Sequence, residues 1–246
     1  MRRAAVIGLM MALGWATLAL GQKPGNTATS DRWELTLAPY VILPWISGHM
    51  SVKGNDVKFE AGPGTIIDNL QFAGMGYFGA RRGNWGVAVD VLFVSLGTTL
   101  ETPPANVDPQ EGAFTFMGIR KVHPQLDFVF GVRWNYLNAR IEFKGPIQTV
   151  VEDTKNWVDP IVGIQFRQPL GKRWHFVFQG DIGGFGVGSK FTWSVFPLIS
   201  VDVAKRVRLA FGYRAISLDY ITGEGLERFE WDATVSGPAF GLSFHF

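Results

Sequence analysis

The sequence contains no cysteine among its 246 residues. That absence excludes disulfide bonds, thiolate metal ligands and a cysteine nucleophile. Histidine is also scarce, with four residues spread along the chain. Scattered histidines without cysteine do not form a ligand set for a structural metal. We therefore expect neither a metal nor another cofactor.

A membrane-spanning helix needs about 20 consecutive apolar residues, and no run after residue 21 approaches that length. An apolar stretch does occur at the N-terminus, where it follows Arg2-Arg3 and ends in small residues before Gln22. This arrangement predicts a secretory signal peptide at 1–21, cleaved after Gly21. The alternative is an N-terminal membrane anchor, for which the apolar run is short.

An excess of charge is missing as well. Removal of Arg2 and Arg3 with the signal peptide would reduce the 23 basic residues to 21, which equals the 21 acidic residues. A chain without net positive charge does not have the electrostatic character of a nucleic-acid-binding protein. No nucleic-acid partner is expected.

The last strand shows what the sequence has instead. From residue 239 to Phe246, aromatic and aliphatic residues alternate with small or polar ones, the period of a β-strand. A soluble β-sandwich could bury such a face in its core. The same alternation recurs along a secreted, aromatic-rich chain without a helical span, and closed barrels are the structures that cross a bilayer without helices. The pattern predicts an all-β, transmembrane, antiparallel up-and-down β-barrel.

Joints between the alternating segments give the strand count. Four are tight, at 83–84, 123–124, 171–172 and 204–205, and five are mostly longer, at 54–70, 101–111, 144–156, 183–189 and 222–226. Outer-membrane barrels have even strand numbers, short periplasmic turns and longer external loops. Ten strands fit this rule better than eight or twelve. The barrel would occupy 31–246, preceded by a periplasmic leader at 22–30.

Irregularities are expected at several points of the wall. Pro39 and Pro44 cannot donate to a β-ladder, so the first strand should bend there. The apolar alternation shifts by one residue after Gly48 and near 215–217, which predicts a β-bulge at each of these two places, and it shifts again at 237–238. A helical turn is predicted within 66–70.

Two groups of candidate residues follow from the alternation. Charged residues on the polar faces would line the lumen: Asp90, Arg133, Asp159, Arg167, Asp181, Arg208, Arg214, Glu230 and Asp232. Aromatic residues near strand ends would form the membrane girdles and the C-terminal signal: Trp33, Trp45, Trp85, Trp157, Trp174, Trp231 and Phe246. The alternative for the tryptophans is the core of a soluble sandwich.

Three functions remain open for such a barrel. The lumen charges could pair and fill the interior, or they could line a narrow water-filled passage. A hydrolase is the third possibility, with His49 near the outer rim as the one histidine in an omptin-like place. No carboxylate motif accompanies His49, so we do not expect an enzyme. A rim-binding or adhesion barrel is disfavoured because the predicted loops are short.

Several motifs carry a resemblance. They are Ala38-Pro39-Tyr40-Val41, Trp157-Val158-Asp159-Pro160, the glycine-rich segment from Gly180 to Ser189, Gly212-Tyr213-Arg214 and Gly237-Pro238. With these the chain resembles a family of proteobacterial outer-membrane β-barrel proteins to which no activity or substrate is assigned. The likeness covers nearly the whole mature chain. It departs at 41–44, where a tryptophan would be expected soon after Tyr40.

The combined expectation is a single-domain barrel in the bacterial outer membrane. Its role would be structural or passive transport of small solutes, as in a narrow porin with a charged lumen. Its partners would be the lipid bilayer and the outer-membrane assembly machinery, which would bind the C-terminal strand. The protein is expected to be a monomer.

Overall fold

Thirteen strands and one short helix make up the described part of the chain. The structure, a computed structural model, describes residues 32–52, 55–101, 104–143, 149–225 and 228–246. The predicted signal peptide and leader lie outside these residues. The elements are β1 Glu34–Ile42, β2 Trp45–Val52, β3 Asn55–Ala61, α1 Pro63–Asp68, β4 Leu70–Arg82, β5 Trp85–Leu96, β6 Thr98–Glu101, β7 Pro104–His123, β8 Leu126–Phe143, β9 Thr149–Leu170, β10 Trp174–Gly183, β11 Phe191–Ala204, β12 Val207–Thr222 and β13 Phe229–His245.

Ten of these strands close a barrel. They follow the order β1, β4, β5, β7, β8, β9, β10, β11, β12 and β13, each pair antiparallel, and β13 pairs with β1 to complete the ring. At the joint, the backbone amides of Leu35 and Phe246 each donate to the other residue's carbonyl oxygen, at 3.1 and 2.9 Å. A closed ring has no unpaired sheet edge. The predicted all-β fold and its ten strands are confirmed.

The two ends of the barrel differ. Short turns at 83–84, 124–125, 171–173 and 205–206 lie at one end, beside the start of β1 and the end of β13. We call this the turn end and the opposite end the loop end. The prediction of four tight turns is confirmed. The predicted loops at 101–111 and 144–156 are wrong in part, because β7 and β9 already begin at Pro104 and Thr149 and pair with neighbouring strands.

The wall is interrupted beside β1. The chain leaves the ladder at Leu43-Pro44, as the proline predicts, and continues as β2 along the loop-end half of β13. Strand β4 pairs with β1 only as far as Pro39 opposite Gly76, whereas β2 pairs with β3. Helix α1 follows β3, and its Ile66 is buried against the barrel interior. The segment predicted as a loop at 54–70 therefore contains β3 and α1.

The outer surface of the wall is apolar around its middle. Large exposed apolar side chains stand on almost every barrel strand, including Leu37, Val41, Phe78, Val87, Phe116, Phe130, Val132, Val162, Ile164, Ile199, Phe211, Phe240 and Leu242. Such a continuous surface is unfavourable in water and matches the hydrocarbon region of a bilayer. Among the described residues, no helix is long and apolar enough to span a membrane.

The apolar face changes side towards the loop end without any change in the backbone. Strands β12 and β13 pair without a register shift from Val207 opposite Phe244 to Thr222 opposite Phe229, and β13 pairs with β2 equally regularly. The two predicted bulges are therefore wrong. The alternation reverses because the outer surface there carries polar side chains, while apolar side chains fill the lumen.

The seam between β13 and the β1–β2 connection depends on Gly237, where a Cβ atom would overlap the carbonyl oxygen of Leu43. We expect Gly237→Ala to lower the free energy of unfolding by about 1–3 kcal/mol because the backbone must shift. Gly64→Ala is the matched control, since an added Cβ meets nothing within 4 Å there. Urea unfolding in lipid vesicles measures both, and equal stability of the two variants would contradict the prediction.

Candidate functional site: the barrel lumen

Polar groups cross the lumen in three layers, of which the first lies near the turn end. The buried carboxylate of Asp127 on β8 accepts hydrogen bonds from Arg81 on β4 and from Arg167 on β9, at 2.5 and 2.6 Å. Arg81 also donates to the side-chain oxygen of Gln165, at 3.1 Å. One carboxylate thus compensates two guanidinium groups in this turn-end layer.

The middle layer contains two ion pairs. Arg133 is fully buried and donates to Asp181 at 2.6 Å, to Thr192 at 3.0 Å and to Thr115 at 3.2 Å. These contacts connect β7 and β8 with β10 and β11. Because each charge is buried with a partner and further hydrogen bonds, the layer avoids the large cost of an unpaired charge.

The second pair of the middle layer bridges the barrel. Arg214 on β12 donates to Asp90 on β5 at 2.5 Å, between strands four positions apart in a ring of ten. Tyr40 on β1 donates to the same carboxylate at 2.9 Å, and the guanidinium of Arg214 lies 5.0 Å from the ring centroid of Phe196. These side chains together span the interior at this height.

The loop-end layer is organised around Asp159. Its carboxylate accepts hydrogen bonds from the Asn135 amide at 2.7 Å, the Ser189 hydroxyl at 2.7 Å and backbone amide at 2.5 Å, and the Trp157 indole at 3.2 Å. Asp159 is completely buried. Four donors on one carboxylate provide the compensation that a buried charge requires.

The glycine-rich hairpin between β10 and β11 places Ser189 in this layer. Gly184 and Gly186 have φ values of +85° and +76°, which the residues of a tight reversal need. A Cβ atom on Gly188 would lie 2.6 Å from a carboxylate oxygen of Asp159. The glycines therefore let the hairpin approach the carboxylate closely. The sequence predicts the bend but contains no signal for the contact with Asp159.

Aromatic side chains fill the lumen above Asp159. The rings of Trp157 and Tyr220 stack with centroids 3.9 Å apart, and those of Phe59 and Trp231 stack at 5.1 Å. Leu137, Met50 and Phe229 pack in the same cluster. Together with the ion pairs below, this aromatic cluster occupies the loop-end half of the lumen.

Seven of the predicted lumen charges lie inside the barrel: Asp90, Arg133, Asp159, Arg167, Asp181, Arg208 and Arg214. The assignment of Glu230 and Asp232 to the lumen is wrong. They alternate with the inward Trp231 and lie on the outer face, where His49 is 3.2 Å from Glu230 and 3.8 Å from Asp232. The error follows from the reversed alternation of β13.

Sequence reasoning missed partners of these charges. Arg81 and Asp127 complete the turn-end layer, and Asp202 accepts from Arg208 at 2.7 Å. Ser189 and Tyr40 satisfy buried carboxylates in the upper layers. Arg81, Asp127, Asp202 and Tyr40 are on the polar faces of their strands, whereas Ser189 lies in the β10–β11 connection. Alternation alone does not indicate which charge each of them contacts.

The tryptophans divide into two groups. Trp33, Trp45, Trp85 and Trp174 are exposed on the outer surface, and Phe246 is 62% exposed at the end of the chain. The girdle assignments of Trp157 and Trp231 are wrong. Trp157 is 7% exposed and hydrogen bonded in the lumen, and Trp231 packs in the aromatic cluster. Both occupy inward positions near the loop end.

Histidine chemistry is dispersed over the barrel. His175 lies 2.9 Å from Asp202, and His245 lies 2.9 Å from the Ser243 hydroxyl. His49 is on the outer face with its two carboxylates. Within the described ranges, no group of three or more His, Asp or Glu side chains has the arrangement of a metal site.

A cavity of about 560 Å³ remains in the turn-end half. Glu34, His245 and Phe246 line it at the turn end, and Tyr40, Asp90 and Arg214 line it at mid-height. A second cavity, beside Ile66, has a volume of about 20 Å³, about that of one water molecule. This chamber thus extends from the turn end to the Arg214–Asp90 bridge at mid-height.

Neither a protein-family model nor a curated protein matches this sequence. Solved structures are similar. The outer membrane protease OmpT from Escherichia coli is 8% identical, with 89% of this chain and 98% of that chain covered and a TM-score of 0.54. The fold is that of bacterial outer-membrane β-barrel proteins. Ail from Yersinia pestis is 9% identical over 87% and 98% of the two chains, with a TM-score of 0.40. At such low sequence identity, the comparison with OmpT shows a shared fold alone.

Substitution of Asp159 should destabilise the barrel, because four donors hydrogen bond to its carboxylate. Asp159→Ala leaves buried donors without an acceptor, so we expect a loss of about 3 kcal/mol or more in the free energy of unfolding. Asp153→Ala on the same strand is the control, because its pair with Lys155 is exposed and worth about 0–1 kcal/mol. The free energies of unfolding are measured by guanidinium unfolding of the refolded barrel. Equal, small losses in the two variants would contradict the prediction.

The Arg133–Asp181 pair can be tested with a double-mutant cycle. Arg133→Leu leaves the buried Asp181 uncompensated and should cost about 3–5 kcal/mol. Adding Asp181→Leu removes the orphaned charge and should restore most of that loss. A double variant as unstable as the sum of both single variants would show that the two side chains do not act as a pair.

Proposed function

We propose that this chain is a non-conducting barrel of the bacterial outer membrane, with a structural role in the cell envelope. The observation that carries the proposal is the Arg214–Asp90 bridge across the lumen. A passive pore needs a continuous aqueous path, and the middle layer and the aromatic cluster interrupt it in series. The narrow-porin alternative is therefore disfavoured.

The placement in the membrane is part of the proposal. The apolar outer belt supports insertion in a bilayer, and the exposed tryptophans stand where interfacial girdles occur. By the usual arrangement of outer-membrane barrels, the turn end faces the periplasm and the loop end faces outward. We also propose that the strand ending in Phe246 is recognised by the outer-membrane assembly machinery and that the barrel is a monomer.

A hydrolase is less well supported. His49 has two nearby carboxylates, which the sequence did not indicate, but they lie on the outer face of the wall rather than in a cleft. General-base catalysis requires a bound substrate within hydrogen-bond reach of the base. The described cavity of about 560 Å³ is at the opposite end of the barrel, and His49 does not line it.

Electrical recording tests the proposal directly. The refolded protein, shown to be folded by a heat-dependent gel shift, should give no stable current steps in a planar bilayer, because two layers of side chains obstruct the lumen. Insertion is verified in the same lipids by protection of the barrel from protease. Stable, salt-dependent steps from the unmodified protein would overturn the proposal.

A combined variant provides the opposite control. Asp90→Gly with Arg214→Gly removes the bridge without leaving an unpaired charge, and Trp157→Gly with Phe229→Gly thins the aromatic cluster. Each double variant alone should give no current steps, since the other obstruction is intact. All four changes together should produce currents if the variant still shows the gel shift.

A further inference from the structure

The cavity at the turn end is formed by small side chains of the wall. On the strands that surround it, inward positions carry residues that leave room: Ala38, Gly79, Ala210, Gly212, Ala239 and Gly241. The opposite wall is filled by Met117, Ile119, Val129 and Ile161. A chamber of about 560 Å³ is in the range of cavities that bind small organic molecules.

Two of the cations in this chamber share one contacting carboxylate. Arg81 and Arg167 both line it, and both depend on the single carboxylate of Asp127. By contrast, Arg214 has Asp90 and Arg208 has Asp202 as individual partners. In the turn-end layer two guanidinium groups thus contact one carboxylate, and Glu34 lines the chamber as a second, non-contacting carboxylate.

Arg167 has the capacity to bind a further anion. Its side chain is 39% exposed, against 19% for Arg81. Its Nη2 donates to Asp127, and its other guanidinium N–H groups make no hydrogen bond to the described residues. A guanidinium has five N–H donors in a planar fork that matches a carboxylate.

Apolar side chains lie next to this cation. Val177 pairs with Arg167 across the β9–β10 ladder, and Leu198 pairs with Val177 across the β10–β11 ladder. Both line the chamber, together with Phe196. We propose that the chamber binds a small amphiphilic organic acid. Its carboxylate contacts Arg167 and Arg81, and its apolar body packs against Val177, Leu198 and Phe196.

The charges that face the chamber limit the ligand to one negative charge. Glu34 pairs with Arg81 across the β1–β4 ladder and Asp90 lines the chamber at mid-height, so a dianion such as phosphate would meet two carboxylates. Glu34 also competes with the ligand for Arg81 and Arg167. The inference goes beyond the proposed structural role, because ligand binding in this chamber does not depend on whether the barrel conducts.

Equilibrium dialysis against the refolded barrel in nanodiscs tests the inference, with 1-naphthoate as the probe and neutral 1-naphthalenemethanol as its uncharged counterpart. Empty nanodiscs correct for partition into lipid. We expect saturable binding of the naphthoate and at least tenfold weaker binding of the alcohol, because the alcohol lacks the charge-assisted hydrogen bonds. Equal binding of the two probes would overturn the role of the arginines.

Charge variants separate the site from the surface. Arg167→Gln should weaken naphthoate binding about tenfold, whereas Glu34→Gln should tighten it by removing the competing carboxylate. Arg140→Gln, an identical charge change at an exposed position of the loop end, should have no effect. Equal affinity of all three variants, or equal weakening by Arg140→Gln, would overturn the proposal.

A steric variant tests the location. Ala210→Phe fills the chamber and should abolish binding while the gel shift and the silence in the planar bilayer are retained. Folded Ala210→Phe protein that still binds naphthoate as the unmodified protein does would place the probe elsewhere and overturn the inference. Binding and conductance are separate measurements, so failure of this inference is distinguishable from failure of the proposed function.

Discussion

Compensation of buried charge is the constraint on which the rest of the structure depends. Ten strands enclose a lumen too narrow to hydrate every inward side chain, and the alternation of the strands sends half of the residues into it. Charges placed there must find partners from distant strands, as Arg214 does with Asp90. The pairs hold opposite parts of the wall together and, in doing so, fill the space that a pore would need.

The surroundings, rather than the strand, decide which face is apolar. Along β13, Phe240 and Leu242 face outward, whereas Phe229 and Val235 are buried on the inner side of the same regular strand. The outer surface changes from hydrocarbon to water along this length, so the hydrophobic effect favours apolar residues outside in one half and inside in the other. A single strand can therefore cross the membrane boundary without a bulge.

This reversal marks the limit of what sequence reasoning can predict for the chain. The strand number, the tight turns and the break at Pro44 depend on local signals, and each was predictable from alternation, glycine and proline. The inward position of Trp157 and the outward position of Glu230 depend on the position relative to the membrane, which local alternation does not encode. The contact between Ser189 and Asp159 joins the β10–β11 connection to strand β9, and neither residue alone indicates it.

The remaining space in the lumen follows from the same physical balance. Bulky side chains such as Ile119 and Val129 form a buried hydrophobic cluster inside one part of the wall. Where Ala210 and Gly241 face inward, nothing of the chain fills the volume, and the charged groups of the turn-end layer border it. A barrel that needed only to be filled would place larger residues there. An unfilled volume with an apolar wall and two arginines that share one carboxylate is the arrangement we propose as a binding chamber, because ligand pockets combine apolar lining with a few placed polar groups.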